Sequence, residues 1–147
     1  AVLSLKSYID AQPKSIQLCH IDAVPDNFLF VTGKDGSEEI KLTDWEYAGM
    51  QDPHLDVAMF IIYAMYDRDS AEKLIDLYFS DGCDKATRLK IYCYIAVSGL
   101  VWSNWCEFKR HCGVEFGAYA QRQYDYAREY TKIFFKEYRE AFGRDYV

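Results

Sequence analysis

The stretch "LCHIDAVPDN", residues 18–27, places His20, Asp22 and Asn27 directly ahead of an apolar run, Phe28–Val31. That run reads as a buried strand, and "TGKDGSEE", residues 32–39, with its two glycines and its charges, reads as a hairpin loop. Residues Ile40–Thr43 alternate apolar and polar, as a return strand does, and Asp44 stands at its end. A hairpin brings its two ends together. The spacing therefore predicts that Asp22, Asn27 and Asp44 converge.

Aspartate and asparagine oxygens are hard ligands, and two or three at one point suit Mg²⁺, which keeps room for water and phosphate. Phosphoryl transfer needs such an arrangement: a metal that neutralises phosphate charge, and a further carboxylate that accepts the proton of the attacking hydroxyl. In that scheme Asp22 is the base, Asn27 and Asp44 hold the metal, and His20 orients the loop through its ring nitrogens. The competing reading is a hairpin flanked by ordinary turn residues, because Asp and Asn favour turns.

Outward from the hairpin the chain turns helical. Residues 3–12 form a short amphipathic pattern that ends before Pro13. Residues 47–54 read as a loop, and Asp56 as the N-cap of a helix of about ten residues. Further helices are predicted over roughly 69–80, 85–109 and 115–142, with "DGCD" as the break after the first of these. The fold class this predicts is α+β, mostly α, with one small β-hairpin near the start.

Half of the 147 residues are apolar and 17% are aromatic, enough for a packed core. The net charge of −6 argues against nucleic acid or an anionic membrane as partner, and leaves a small cationic ligand or a metal ion open. Five cysteines without a C-x-x-C pair read as free thiols of a cytoplasmic protein, and Cys106, His111 and Cys112 lack an evident fourth ligand for zinc. The longest uncharged run, Ile91–Cys106, is too short to span a bilayer and reads as a buried helix.

"HIDAVPDNFLF" followed by "LTDWEYAGMQDPHLDVA" resembles the choline/ethanolamine kinase family, within the aminoglycoside-phosphotransferase-like and protein-kinase-like superfamily. The resemblance continues through "LVWSNWCEF" and "EFGAYAQRQY" and covers roughly residues 16–135. It implies the C-terminal lobe of a kinase-like fold, ATP as co-substrate and Mg²⁺ as cofactor. It implies Asp22 as catalytic base, Asn27 and Asp44 as metal ligands, and Asp56 as a support hydrogen-bonded to the backbone of the catalytic loop. Two positions depart from the family's usual pattern: Ala23, where leucine is usual, and Trp45, where many relatives carry phenylalanine.

A quaternary ammonium has no N–H to donate, so a protein recognises it with aromatic faces and nearby negative charge. Trp102 and Trp105 are spaced to share one helix face. Spacing alone favours core packing for this pair; the resemblance assigns it to a choline pocket together with Tyr119. Glu46 stands either as carboxylate charge beside the substrate or as an ion-pair brace for its loop, and Tyr47 would support the same wall.

A glycine-rich loop and a lysine over the phosphates, which such a kinase needs, have no counterpart here: Gly33 and Gly36 sit in a hairpin loop with acidic charge. Residues 1–147 are therefore expected to be one kinase-like lobe, with a nucleotide-clamping N-terminal lobe absent. The expected function is ATP-dependent phosphorylation of the hydroxyl of choline or a related amino alcohol, with little activity from this piece alone. The rivals are a kinase for an aminoglycoside, homoserine or a sugar, and a non-catalytic kinase-like binding domain.

Overall fold

A period of 3–4 residues in the apolar positions of the last two long segments sets the core. In the computed structural model, which describes residues 1–146 and leaves Val147 outside the described residues, these segments form α4 (Lys85–His111) and α5 (Ala118–Phe142). On α5 the residues Gln123, Tyr126, Ala127, Tyr130, Phe134 and Tyr138 are all buried, a single stripe facing α4. Gly99 of α4 permits the close approach. A Cβ there would stand 2.7 Å from the Gln123 carbonyl oxygen and 2.9 Å from the Tyr126 Cβ. Asp84 caps α4, its carboxylate accepting from the Thr87 N–H at 3.0 Å and the Thr87 hydroxyl at 2.6 Å.

Against this pair pack α1 (Leu5–Ala11), α2 (His54–Tyr63) and α3 (Arg68–Tyr78), which contribute Leu5, Tyr8, Ile61, Ile62, Ala71 and Ile75 to the core. Helix α2 ends in a left-handed turn at Met65 (φ 51°), where the Tyr66 N–H reaches the Ile61 carbonyl and the Met65 N–H the Ile62 carbonyl. Gln123 Nε2 donates to that same Ile62 oxygen at 2.9 Å, so α5 satisfies the end of α2.

The strands form two separate antiparallel pairs. The expected hairpin is β2 (Phe28–Thr32) with β3 (Glu38–Leu42), in the register Phe28↔Leu42. A second ladder, absent from the sequence reading, joins β1 (Gln17–Cys19) to β4 (Gly49–Gln51), inside what reads as a loop, with Cys19 opposite Gly49. Three-residue strands carry too little alternation to be seen in sequence. Their consequence is large, because residues 20–27 and 43–48 become the two connections between the two ladders. Both candidate loops are thereby held at both ends.

Two further expectations are corrected. The hairpin is not buried: Phe30 is 81% exposed and Ile40 62%, because no described element covers that face, and Phe28 packs inward on Phe60 instead. Asp56 is not the N-cap of α2. The helix begins at His54 with Pro53 in the cap position, and the Asp56 side chain turns away to the loop. The mostly helical α+β class stands as read. Among the described residues no helix is long and apolar enough to cross a membrane.

Candidate active site

The loop from His20 to Asn27 is fixed chiefly through its backbone. Ile21 sits at φ 69°, a conformation that costs a β-branched residue about 1–3 kcal/mol. Asp56 on α2 holds it there: its two carboxylate oxygens accept from the His20 N–H at 2.7 Å and the Ile21 N–H at 2.8 Å. The His20 ring is buried, its centroid 4.8 Å from that of the Trp45 ring in an edge-on contact, and its Nε2 lies 2.7 Å from the Thr43 carbonyl. A carbonyl only accepts, so Nε2 carries the proton and the ring spans from one connection to the other. Thr43 also donates its N–H to the Asn27 carbonyl at 3.0 Å. The two connections are therefore bonded to each other immediately before Asp44.

Asn27 Nδ2 donates one of its two N–H groups to the Asp22 carbonyl at 3.0 Å, which orients the amide and leaves its oxygen without a protein donor among the described residues. Asp44 is exposed and holds φ 63°, a region Asp tolerates better than most residues. Among the described residues no three His, Cys, Asp or Glu side chains gather around one point. The donors on offer, one amide oxygen and one carboxylate, fit a hard divalent ion that completes its shell with water and substrate oxygens, as Mg²⁺ does. They do not fit a self-sufficient protein cage, and all five cysteines are free.

Beside the loop opens a cleft of about 690 Å³. Asp22 reaches it from the loop, Tyr47 from the other connection, Met59 and Tyr63 from α2, Trp102 and Trp105 from α4, Phe116 from the turn before α5 and Tyr119 from the first turn of α5. The aromatic rings form a continuous wall. Tyr63 and Trp102 have centroids 5.7 Å apart, Trp102 and Trp105 5.4 Å, Trp105 and Phe116 5.3 Å, and Phe116 and Tyr119 6.4 Å. The tryptophan pair thus faces the same space as Asp22 and is not confined to the core. Trp105 is 41% exposed at the rim.

Glu46 does not join the lining. A turn closed by the Ala48 N–H on the Trp45 carbonyl at 3.0 Å puts Tyr47, not Glu46, along the cleft, and leaves Glu46 in solvent. Two aromatic lining residues escaped the sequence reading, as did the apolar Ile21, Val24 and Met59. Tyr63 lies seven residues after Asp56 and so on the same face of α2, a signal that was there to find; Phe116 precedes its helix, and no periodicity marks it.

Tyr63 donates its hydroxyl to Asp22 Oδ1 at 2.8 Å. Burial first, then that bond to Asp22, push the phenol well above its ordinary range, so it remains a donor. The Trp102 indole N–H lies near this hydroxyl but meets no acceptor with hydrogen-bond geometry. Burial, followed by the charge influence of Cys106 and Asp22, likewise raises Tyr119. Behind the site, Asp52 and Lys90 form a buried ion pair at 2.7 Å, and Lys90 also donates to the Pro13 carbonyl at 2.8 Å. Burial works against the Asp52 charge, but Lys90 and the His54 N–H hold its pKa below the usual carboxylate value.

The choline/ethanolamine kinase family model matches residues 1–82 of this sequence, more than half of it. The chain belongs to the choline/ethanolamine kinase family. Protein LicA of Haemophilus influenzae is 30% identical over 121 residues, which cover 74% of this chain and 41% of that protein. Among solved structures, a choline/ethanolamine kinase family protein from Mesorhizobium loti superposes with a TM-score of 0.72 at 26% identity, over 88% of this chain and 44% of that one. The choline kinase LicA from Streptococcus pneumoniae gives 0.67 at 28% identity, over 90% and 45%. A structure of LicA in complex with AMP gives 0.68. The chain thus spans less than half the length of these members of the family.

Proposed function

We propose that residues 1–147 are the C-terminal lobe of a two-lobed kinase that transfers the γ-phosphoryl group of ATP to the hydroxyl of choline. The observation that carries this reading is the sharing of one cleft by Asp22 and an aromatic wall of two tryptophans, two tyrosines and a phenylalanine. The wall suits a cation without N–H groups, and the carboxylate suits the removal of a proton from a hydroxyl held beside it. A primary ammonium would need several acceptors. In this lining the only charged group is Asp22, so ethanolamine would enter with its N–H groups poorly satisfied. Choline is therefore the favoured acceptor, and an amino sugar, with many hydroxyls and N–H groups, the least favoured.

In the proposed reaction Asp22 accepts the proton of the choline hydroxyl as the oxygen–phosphorus bond forms. The bond between the γ-phosphorus and the oxygen of the departing ADP breaks. Asn27 and Asp44 would hold Mg²⁺, which supplies charge neutralisation on the phosphates. His20 and Asp56 hold the backbone of the loop that carries Asp22 and Asn27. The exposed apolar face of the hairpin with the cross-strand pair Phe30 and Ile40 is the surface we assign to the N-terminal lobe and the nucleotide. The AMP complex of a relative supports an adenine nucleotide as co-substrate.

The test is a substrate panel on the full-length protein with ATP and Mg²⁺, following ADP release. Choline is expected to be turned over at the highest kcat/KM, and Trp102→Ala to raise its KM by about tenfold or more, the scale of a lost desolvated cation–π contact. Preference for an aminoglycoside, homoserine or a sugar, with choline ignored, would defeat the proposal.

A further inference from the structure

The catalytic loop meets helix α2 at two points, and only one of them concerns its backbone. Asp56 takes the N–H groups of His20 and Ile21; Tyr63, two helical turns further along the same face, takes the side chain of Asp22. Asp22 Oδ1 is occupied by that phenol, while Oδ2 has no protein donor among the described residues. The same phenol is the first ring of the aromatic wall, packed against Trp102 at 5.7 Å. One side chain therefore touches both the candidate base and the candidate cation cage.

We infer that Tyr63 is a positioning residue: it locks the rotamer of Asp22 so that Oδ2 faces the acceptor hydroxyl, and it fixes the distance between that hydroxyl and the cation. This rests on the kinase reading above. A carboxylate free to rotate about its Cα–Cβ and Cβ–Cγ bonds would spread its two oxygens over several positions. A donor on one oxygen leaves the other in a single place, and because the donor's ring belongs to the cage, the separation of base and cage is set by a rigid group rather than by a loop. Tyr63 is not an alternative base. Its hydroxyl is buried, donates to a carboxylate and stays protonated. A span fixed in this way discriminates by chain length, so lengthening the alcohol by one methylene is the change that reports on it.

The experiment uses the full-length protein and three variants: Tyr63→Phe, Asp22→Asn and the double substitution. Steady-state kinetics are run with choline and with the trimethylammonium alcohol that is longer by one methylene, and choline binding is followed by calorimetry. Phe keeps the ring in the wall, so choline affinity is expected to stay within about twofold, which also reports an intact fold. The kcat for choline is expected to fall about tenfold, the scale of one hydrogen bond to a charged group. The preference for choline over the longer alcohol is expected to shrink, and Tyr63→Phe to add no further loss on top of Asp22→Asn. An unchanged kcat and unchanged preference in Tyr63→Phe, with Asp22→Asn inactive, would overturn this inference alone. So would a rise in KM with kcat preserved, which would make Tyr63 a wall residue only. Full activity in Asp22→Asn would overturn the kinase reading and this inference with it.

Discussion

The two walls of the cleft are built by different physics. The loop wall, residues 20–27 and 43–48, is held by backbone hydrogen bonds between short ladders and by a few buried acceptors, with a strained Ile21 at its centre. The helix wall, from α4 and α5, is held by close packing, with Gly99 letting the helices approach and rings in contact along its length. The first fixes individual polar atoms; the second fixes a surface. In the proposed reaction, proton transfer would need atoms in set places and a trimethylammonium only a shaped apolar face, so each wall would carry the chemistry its construction allows.

The joint between the walls is the Asp52–Lys90 pair, which ties the end of β4 to α4. Lys90→Met leaves the Asp52 carboxylate buried without its partner. A loss of about 3–5 kcal/mol is expected in urea unfolding, and both walls should loosen together. The same pair gives the stability a pH signature. The Asp52 pKa is lowered in the folded chain, so its contribution is complete above the ordinary unfolded value, about pH 4, and is lost as pH falls through the folded value. Lys90→Met should flatten that acid limb; a steep limb that persists in the variant would assign it to other carboxylates.

Asp56→Ala breaks the loop wall alone. Two N–H groups lose a charged acceptor and the Ile21 conformation loses its support, so about 3 kcal/mol is expected, with fast amide exchange at His20 and Ile21 and slow exchange retained in α4. Gly99→Ala breaks the helix wall alone. The added methyl meets backbone at 2.7 Å, and about 1–3 kcal/mol should be lost, with exchange rising in α4 and α5 while the His20 amide stays protected. If either variant loosened both walls equally, the division drawn between them would fail.

Much of the loop wall was legible before any coordinates. The β2–β3 hairpin is local, so its strands, its turn and the positions of His20, Asp22, Asn27 and Asp44 around its two ends could be read from the sequence. What was illegible there was the β1–β4 ladder and the burial of the hairpin. The ladder pairs residues about thirty positions apart through three-residue strands. Apolar composition in Phe28–Val31 reports that the face wants covering, not that a described element covers it. Glu46 and Tyr47 show the same limit at one-residue resolution, since a single turn decides which of two neighbours reaches the cleft.

The sequence by itself determined the helical class, the β2–β3 hairpin and the placing of Asp22, Asn27 and Asp44 at that hairpin's two ends, because each depends on periodicity or spacing within a few turns of chain. Only the tertiary structure decided that Tyr63 bonds Asp22 and that Tyr47 rather than Glu46 lines the cleft; the tryptophans at the cleft and the hold of Asp56 on the loop backbone were implied by the family resemblance, where local pattern alone favoured core packing and a helix cap. Those outcomes depend on how α2, α4 and the loops are oriented against one another. That orientation is set by the sum of many weak packing contacts spread over the whole chain, which no local pattern encodes.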